Sequence, residues 1–294
     1  MSKVNGSDSS GSQSSEQKVK RAADLYTLIN DLQGGMQNAI HYHLGFQYAT
    51  KALSDKLAEV GVDASWRLLD VCCGWGVPTR FLADRFKCHI TGIDITQRSI
   101  DLARQATEDT EAESLITFQQ GSALNLPAAP GEIDLVWSQD GFCHVPDRPR
   151  LLQECFRVLR SGGYLVFSDW MRGEYITAAE FEKFCAAWSF QELETPDSYR
   201  SHLTGAGFEV LSQEEVGREY AAAGEAEFLK LGATSFIQRT AAKDAEMAAS
   251  TVAQYGLDVH LAQLERENMD IYFAQGKMAL GRFVCRKPKA GGSE

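Results

Sequence analysis

The stretch "LLDVCCGWGVPTRFLA", residues 68–83, decides the fold. Its apolar start reads as a strand buried on both faces. Gly74 and Gly76 then permit a tight turn that larger residues resist. Pro78 falls at the first position of the following helix, where its missing N–H costs nothing. Cys72 and Cys73 stand where strand–turn–helix cofactor sites carry glycine. The loop could therefore be a metal or redox site, a dinucleotide cradle, or a third kind of cofactor cradle.

Further along, strands and helices alternate. "HITGID" (89–94), "LITFQQG" (115–121), "IDLVWSQD" (133–140) and "YLVFSDW" (164–170) read as strands. Between them, Thr96 caps the helix "QRSIDLARQA", and "RPRLLQECFRVLRSGG" is a helix with Pro149 near its start and Gly162-Gly163 closing it. This spacing predicts an α/β fold with a doubly wound, mostly parallel sheet. Such sheets bind ligands outside the carboxyl ends of their strands, near the switch point. That rule gathers the Gly74–Gly76 loop, Asp94, Ser122, Ser138 and Gln139 around one crevice.

Before the alternation, residues 1–18 are Ser/Gly-rich and read as a disordered leader. Residues 19–65 read as a helical cap broken at Gly34-Gly35, with a second helix through "ATKALSDKLAEVG" (49–61). The core then spans 66–216. It includes a helix opened by a capping box, Thr177 with Glu180, and a helix ending at Gly205-Ala206-Gly207 before a sixth strand. Residues 217–275 are predicted as a helical lid, and 276–294 as the last strand and tail, completing a seven-stranded sheet.

The formal net charge of −11 argues against a nucleic-acid partner, which needs a basic face. No run of 18 apolar residues is present, so no membrane span is expected. The seven cysteines form no Cys-x-x-Cys pair, and several sit in apolar runs. They read as reduced core residues of a cytoplasmic protein, with no metal site expected.

The dinucleotide motif wants a third glycine where this chain has Thr79. Adjacent cysteines in an extended strand point to opposite faces, which disfavours a shared metal or disulfide. The third cradle fits. Asp70, Gly74 and Gly76, with Cys72 in place of the first glycine, resemble the first motif of class I S-adenosylmethionine-dependent methyltransferases. The resemblance covers residues 66–172 and implies a Rossmann-like core. It implies S-adenosyl-L-methionine as cofactor, left as S-adenosyl-L-homocysteine. It also implies a cofactor site of Asp70, Cys72, Gly74, Gly76, Arg80, Asp94, Ile95, Ser122, Ala123 and Gln139. Asp94 would accept from the ribose hydroxyls, and Ser122 would take the adenine amino group.

Within that class, "WSQDGFCHVPDRPRLLQECFRVLRSGGYLVFSDWM" (137–171), "LQGGMQNAIHYHLGF" (32–46) and "GKMALGRFVCRKP" (276–288) resemble sarcosine/dimethylglycine N-methyltransferases and tocopherol-type methyltransferases. The implied partner is a small-molecule methyl acceptor, with a homodimer as the expected assembly. The alternatives are a C- or O-methyltransferase of a specialised metabolite and a cofactor-binding protein without turnover. His144, just past the fourth strand, is the catalytic candidate, beside a plain structural role. Tyr26, Trp170 and Tyr220 are candidates for an aromatic wall that favours an ammonium, and Arg172 for a carboxylate anchor. Packing is the competing role for the rings, and the preferred one for Trp188. His41 and His43 have no further ligand spaced to join them.

Overall fold

A computed structural model describes residues 40–188, 190, 192–220 and 269–289, with Lys20 and Ala222. The expected leader, Tyr26, Gly34-Gly35 and residues 221 and 223–268 of the expected lid lie outside the described residues. A helix α1 (Ile40–Glu59) leads into β1 (Arg67–Val71), α2 (Val77–Phe86), β2 (His89–Asp94), α3 (Gln97–Gln105) and β3 (Ile116–Gln120). Then come β4 (Ile133–Gln139), α4 (Arg148–Val158), β5 (Leu159–Arg172), α5 (Ala178–Trp188), α6 (Pro196–Gly205) and β6 (Glu209–Glu215). A short α7 (Met269–Ala274) precedes β7 (Met278–Arg286).

The seven strands form one sheet in the order β3-β2-β1-β4-β5-β7-β6. Strands β1 to β5 pair in parallel, and β7 runs antiparallel to both β5 and β6. The order reverses between β1 and β4, which puts the switch-point crevice beside the loop after β1.

Strand alternation divides the core. Leu135 and Trp137 of β4 and Val166 of β5 meet Leu53 and Leu57 of α1 and Leu82 of α2. The intervening Val136, Leu165 and Phe167 face Leu151 and Cys155 of α4 and Tyr199 and Leu203 of α6. Both sheet faces are covered, as a parallel sheet requires. Among the described residues no helix is long and apolar enough to cross a membrane.

Several local expectations hold. Thr96 accepts from the Ser99 backbone N–H, and Thr177 and Glu180 bond reciprocally. Three expectations are corrected. Helix α1 begins at Ile40 and runs unbroken to Glu59, so the expected second helix is its continuation. Val77 is the first helical residue of α2, and Pro78 follows it. Gly162 and Gly163 do not close α4. The helix ends at Val158, and both glycines lie in β5, where Gly162 has φ +76°.

The carbonyls at the end of α4 are met from a distance in sequence. Lys287 Nζ donates to Phe156 O and Leu159 O, both at 2.7 Å. Lys287→Met removes that charged cap and is expected to cost about 2 kcal/mol, as hydrogen bonds to charged groups do. Urea denaturation measures it.

Candidate active site at the carboxyl ends of β1, β2, β4 and β5

The loop after β1 reverses the chain with three left-handed residues, Cys72 (φ +63°), Gly74 (φ +52°) and Gly76 (φ +68°). Gly76 must lack a side chain, because a Cβ there would lie 2.3 Å from the Phe118 ring. Gly74 and Gly121 have nothing within 4 Å of a notional Cβ, so both border open space. Between them lies Asp94, at the end of β2. Its carboxylate accepts from Gly74 N (3.0 Å), Thr96 N (2.9 Å) and the Thr96 hydroxyl (2.9 Å). Burial raises its pKa, and these donors oppose the rise.

Asp70 stands near the carboxyl end of β1. It is 1% exposed and accepts from the Thr79 hydroxyl at 2.6 Å. Burial, with Asp94 nearby, pushes it up to about 7. Thr79, which broke the dinucleotide motif, is thus the partner that ties α2 to β1.

The two cysteines diverge, though not as extended-strand neighbours: β1 ends at Val71 and Cys72 is left-handed. Cys72 packs toward Val71 and Phe142, whereas Cys73 packs with Ile100, Ala103 and Phe118. Burial and the carboxylates Asp94, Asp169 and Asp70 push the Cys72 thiol well above its ordinary range. A thiol so held is a poor nucleophile and metal ligand. Among the described residues no group of three His, Cys, Asp or Glu is placed to hold a metal ion.

The other cofactor candidates occupy varied roles. Arg80 donates to Trp75 O at 2.8 Å and braces the loop. Ile95 O accepts from Gln120 Nε2 at 3.1 Å, which joins the ends of β2 and β3. Ser122, half-buried beside Gly121, accepts from Leu124 N at 3.2 Å, while the Ala123 side chain is buried in the core. Gln139 Oε1 accepts from Thr50 of α1 at 2.8 Å.

Two buried carboxyls went unselected in the sequence. Asp140 follows β4 with φ +55°, and its side chain accepts from the Ser168 hydroxyl at 2.6 Å. Burial, and secondarily Asp169, push it up to about 7. Its signal was "SQDG" at a strand end, since Asp is among the few residues that tolerate left-handed backbone. Asp169 of β5 accepts from Cys143 N (2.9 Å) and the Tyr199 hydroxyl (2.5 Å). Arg148 donates to Phe142 O, and its guanidinium lies 5.5 Å from the Tyr199 ring centroid. Together Asp169 and Arg148 grip the short turn Phe142–His144 that carries His144.

The His144 ring lies 4.9 Å from that of Phe190. Beyond it Trp170, 3% exposed, packs among Phe184, Phe190 and Phe273. Trp170 is thus buried in the aromatic cluster beside His144. Arg172 is exposed at the end of β5, 4.7 Å from the Phe181 ring centroid. Tyr220 lines a small cavity with Tyr48, Ser168 and Arg282. The side chains of His41, His43 and Trp188 lie outside the described residues.

Arg148 is buried, faces the Glu194 carboxylate across 3.9 Å and opposes the rise of the Asp169 pKa, so removing it strands buried negative charge. Arg148→Met is expected to cost about 3–5 kcal/mol, as for other broken buried pairs. Arg148→Met with Glu194→Gln should recover at least half of it in denaturant melts.

The chain shares these features with known proteins. Residues 69–167 match the family described as "Methyltransferase domain". The sarcosine/dimethylglycine N-methyltransferase of Halorhodospira halochloris is 33% identical over 148 residues, 50% of this chain and 53% of that protein. The match therefore spans about half of that relative's length. Methyltransferase GfsG of Streptomyces halstedii is 29% identical over 216 residues, 68% of this chain and 77% of that one. A Galdieria sulphuraria protein provisionally described as a sarcosine dimethylglycine methyltransferase superposes with a TM-score of 0.65 at 22% identity. That superposition covers 82% of this chain and 86% of the other, and it establishes the fold. With the Gly74–Gly76 loop, the acid ending β2 and this strand order in hand, residues 69–167 are a methyltransferase domain.

Proposed function

We propose that the chain is an S-adenosylmethionine-dependent methyltransferase acting on a small amine of the sarcosine or dimethylglycine type. The residues around Asp94 suit the cofactor. Gly74 and Gly121 leave the space beside the carboxylate clear. Asp94 Oδ2 accepts from Gly74 N and keeps acceptor capacity for ribose hydroxyls. The Ser122 hydroxyl stands by for the adenine amino group. When bound, the cofactor supplies a methyl group made electrophilic by a positively charged sulfur.

The observation that carries the amine assignment is Asp140. Its carboxyl is buried where β4 meets the crevice, and it is bonded to Ser168. Ser168 in turn lines the cavity with Tyr48, Tyr220 and Arg282. An ammonium acceptor must lose its proton before its lone pair is free. A carboxyl held near 7 takes that proton at neutral pH, and tyrosine faces favour the cation that approaches and the one that forms. His144, on its clamped turn, orients the acceptor. Arg172 is offered as the anchor for an acceptor's carboxylate.

One observation favours a second acceptor class. His144 borders the aromatic cluster of Phe190, Trp170 and Phe184, a setting suited to a phenol or isoprenoid acceptor of a C- or O-methyltransferase. All seven cysteines are free thiols, which supports placement in the reducing cytoplasm.

A methyl-transfer screen over sarcosine, dimethylglycine, phenols, indoles and prenyl diphosphates tests the assignment. Turnover confined to the last three overturns the amine reading. With the amine, the rate should rise through about pH 7. Asp140→Asn should lower kcat about 100-fold or more and flatten that limb. Stability carries the opposite sign. The buried acid keeps its proton to about 7, whereas the unfolded chain releases it near pH 4. Its contribution is therefore complete below about pH 4 and lost as pH rises toward 7. Melts of Asp140→Asn should show a shallower decline across that window.

A further inference from the structure

Cys72 and Gly141 each hold the residue the other's backbone would prefer. Cys72 sits at φ +63°, where glycine is the natural choice. Gly141 has φ −114°, which any residue adopts without strain. Gly141 is instead required by space. A Cβ there would lie 2.6 Å from Cys72 Cβ and 3.3 Å from Ser138 Oγ. Neither side can drift to make room. Ser138 donates to Val71 O at 2.8 Å, Cys73 N to Ile93 O at 2.9 Å, and Asp140 N to Ser168 O at 2.9 Å. One Cβ fits between the loop after β1 and the loop after β4, and this chain places it at position 72.

We propose that Cys72 and Gly141 form one interlocked pair that fixes the separation of the cofactor loop, 72–76, from the acceptor loop, 140–144. Cys72 is then a positioning residue for methyl transfer and takes no part in bond making. The contact sits next to Asp140 on one side and two residues from Gly74 on the other. A shift there displaces donor and acceptor relative to each other, and transfer rates respond steeply to such displacement. The positioning role rests on the proposed methyltransferase activity. The interlock itself does not.

Four proteins test it: wild type, Cys72→Gly, Gly141→Ala and the double variant. Each is measured for melting temperature, S-adenosylhomocysteine affinity, and kcat and KM on the best acceptor of the screen. Gly141→Ala should lower the melting temperature and weaken S-adenosylhomocysteine at least 10-fold. Cys72→Gly should keep that affinity within about 3-fold yet lower kcat about 5-fold or more, because the contact that spaces the loops is gone. The double variant should regain melting temperature and affinity to within about 3-fold of wild type, a large non-additive coupling. Effects that simply add in the double variant overturn the interlock. An unchanged kcat in Cys72→Gly overturns the positioning role. A wild type that binds no S-adenosylhomocysteine overturns the proposed function and the positioning role with it, while the melting-temperature cycle still decides the interlock.

Discussion

The chain must turn from β1 into α2 within five residues, and it does so by placing Cys72, Gly74 and Gly76 in the left-handed region. For an L-residue with a side chain that conformation costs about 1–2 kcal/mol, which glycine avoids. Much else follows from this turn. It aims Gly74 N at Asp94, seats Gly76 against Phe118, and starts α2 where Thr79 reaches back to Asp70. The loop is thereby tied to β2, to β3 and to its own helix. The open space beside Asp94 is what remains once those ties are made.

A second constraint is charge. Asp70, Asp94, Asp140 and Asp169 lie at or near the carboxyl ends of four parallel strands, and burial raises the pKa of each. Arg148 is buried beside Asp169 and serves the network there. Carboxyls such as Asp94 and Asp140, held by N–H and hydroxyl donors at this edge, are suited to cationic ligands. A sulfonium cofactor and an ammonium acceptor are both cations, so each would lower the cost of ionising this edge. The net charge of −11 pointed the same way, without saying where the acids gather.

The core architecture was legible in the sequence because its signals are local. Two-faced apolar strands, Thr96 and Thr177 caps, and glycines at the β1 turn each act within a few residues. What escaped depends on partners distant in sequence. Gly162-Gly163 reads as a helix stop, yet the carbonyls at the end of α4 are met by Lys287, so the chain can enter β5 at once. Asp70 takes a hydrogen bond from Thr79, nine residues on, which the motif pattern alone does not announce. Asp140 and Asp169 look like ordinary strand-end polar residues, because their burial comes from Ser168, Tyr199 and the α4 and α6 packing. Trp170 reads equally as packing or recognition in the sequence, and its ring contacts come from Phe184 of α5 and Phe273 of α7, both distant along the chain.

The central claim is that the crevice beside Asp94 holds a sulfonium nucleoside and not a dinucleotide. Calorimetric titration of the full chain with S-adenosylhomocysteine, with NAD as the control, tests it most directly. Saturable binding of S-adenosylhomocysteine, lost on Asp94→Ala in a variant that still folds, and no heat with NAD, is the expected result. Binding of NAD, or no binding of S-adenosylhomocysteine by the wild type, would contradict it.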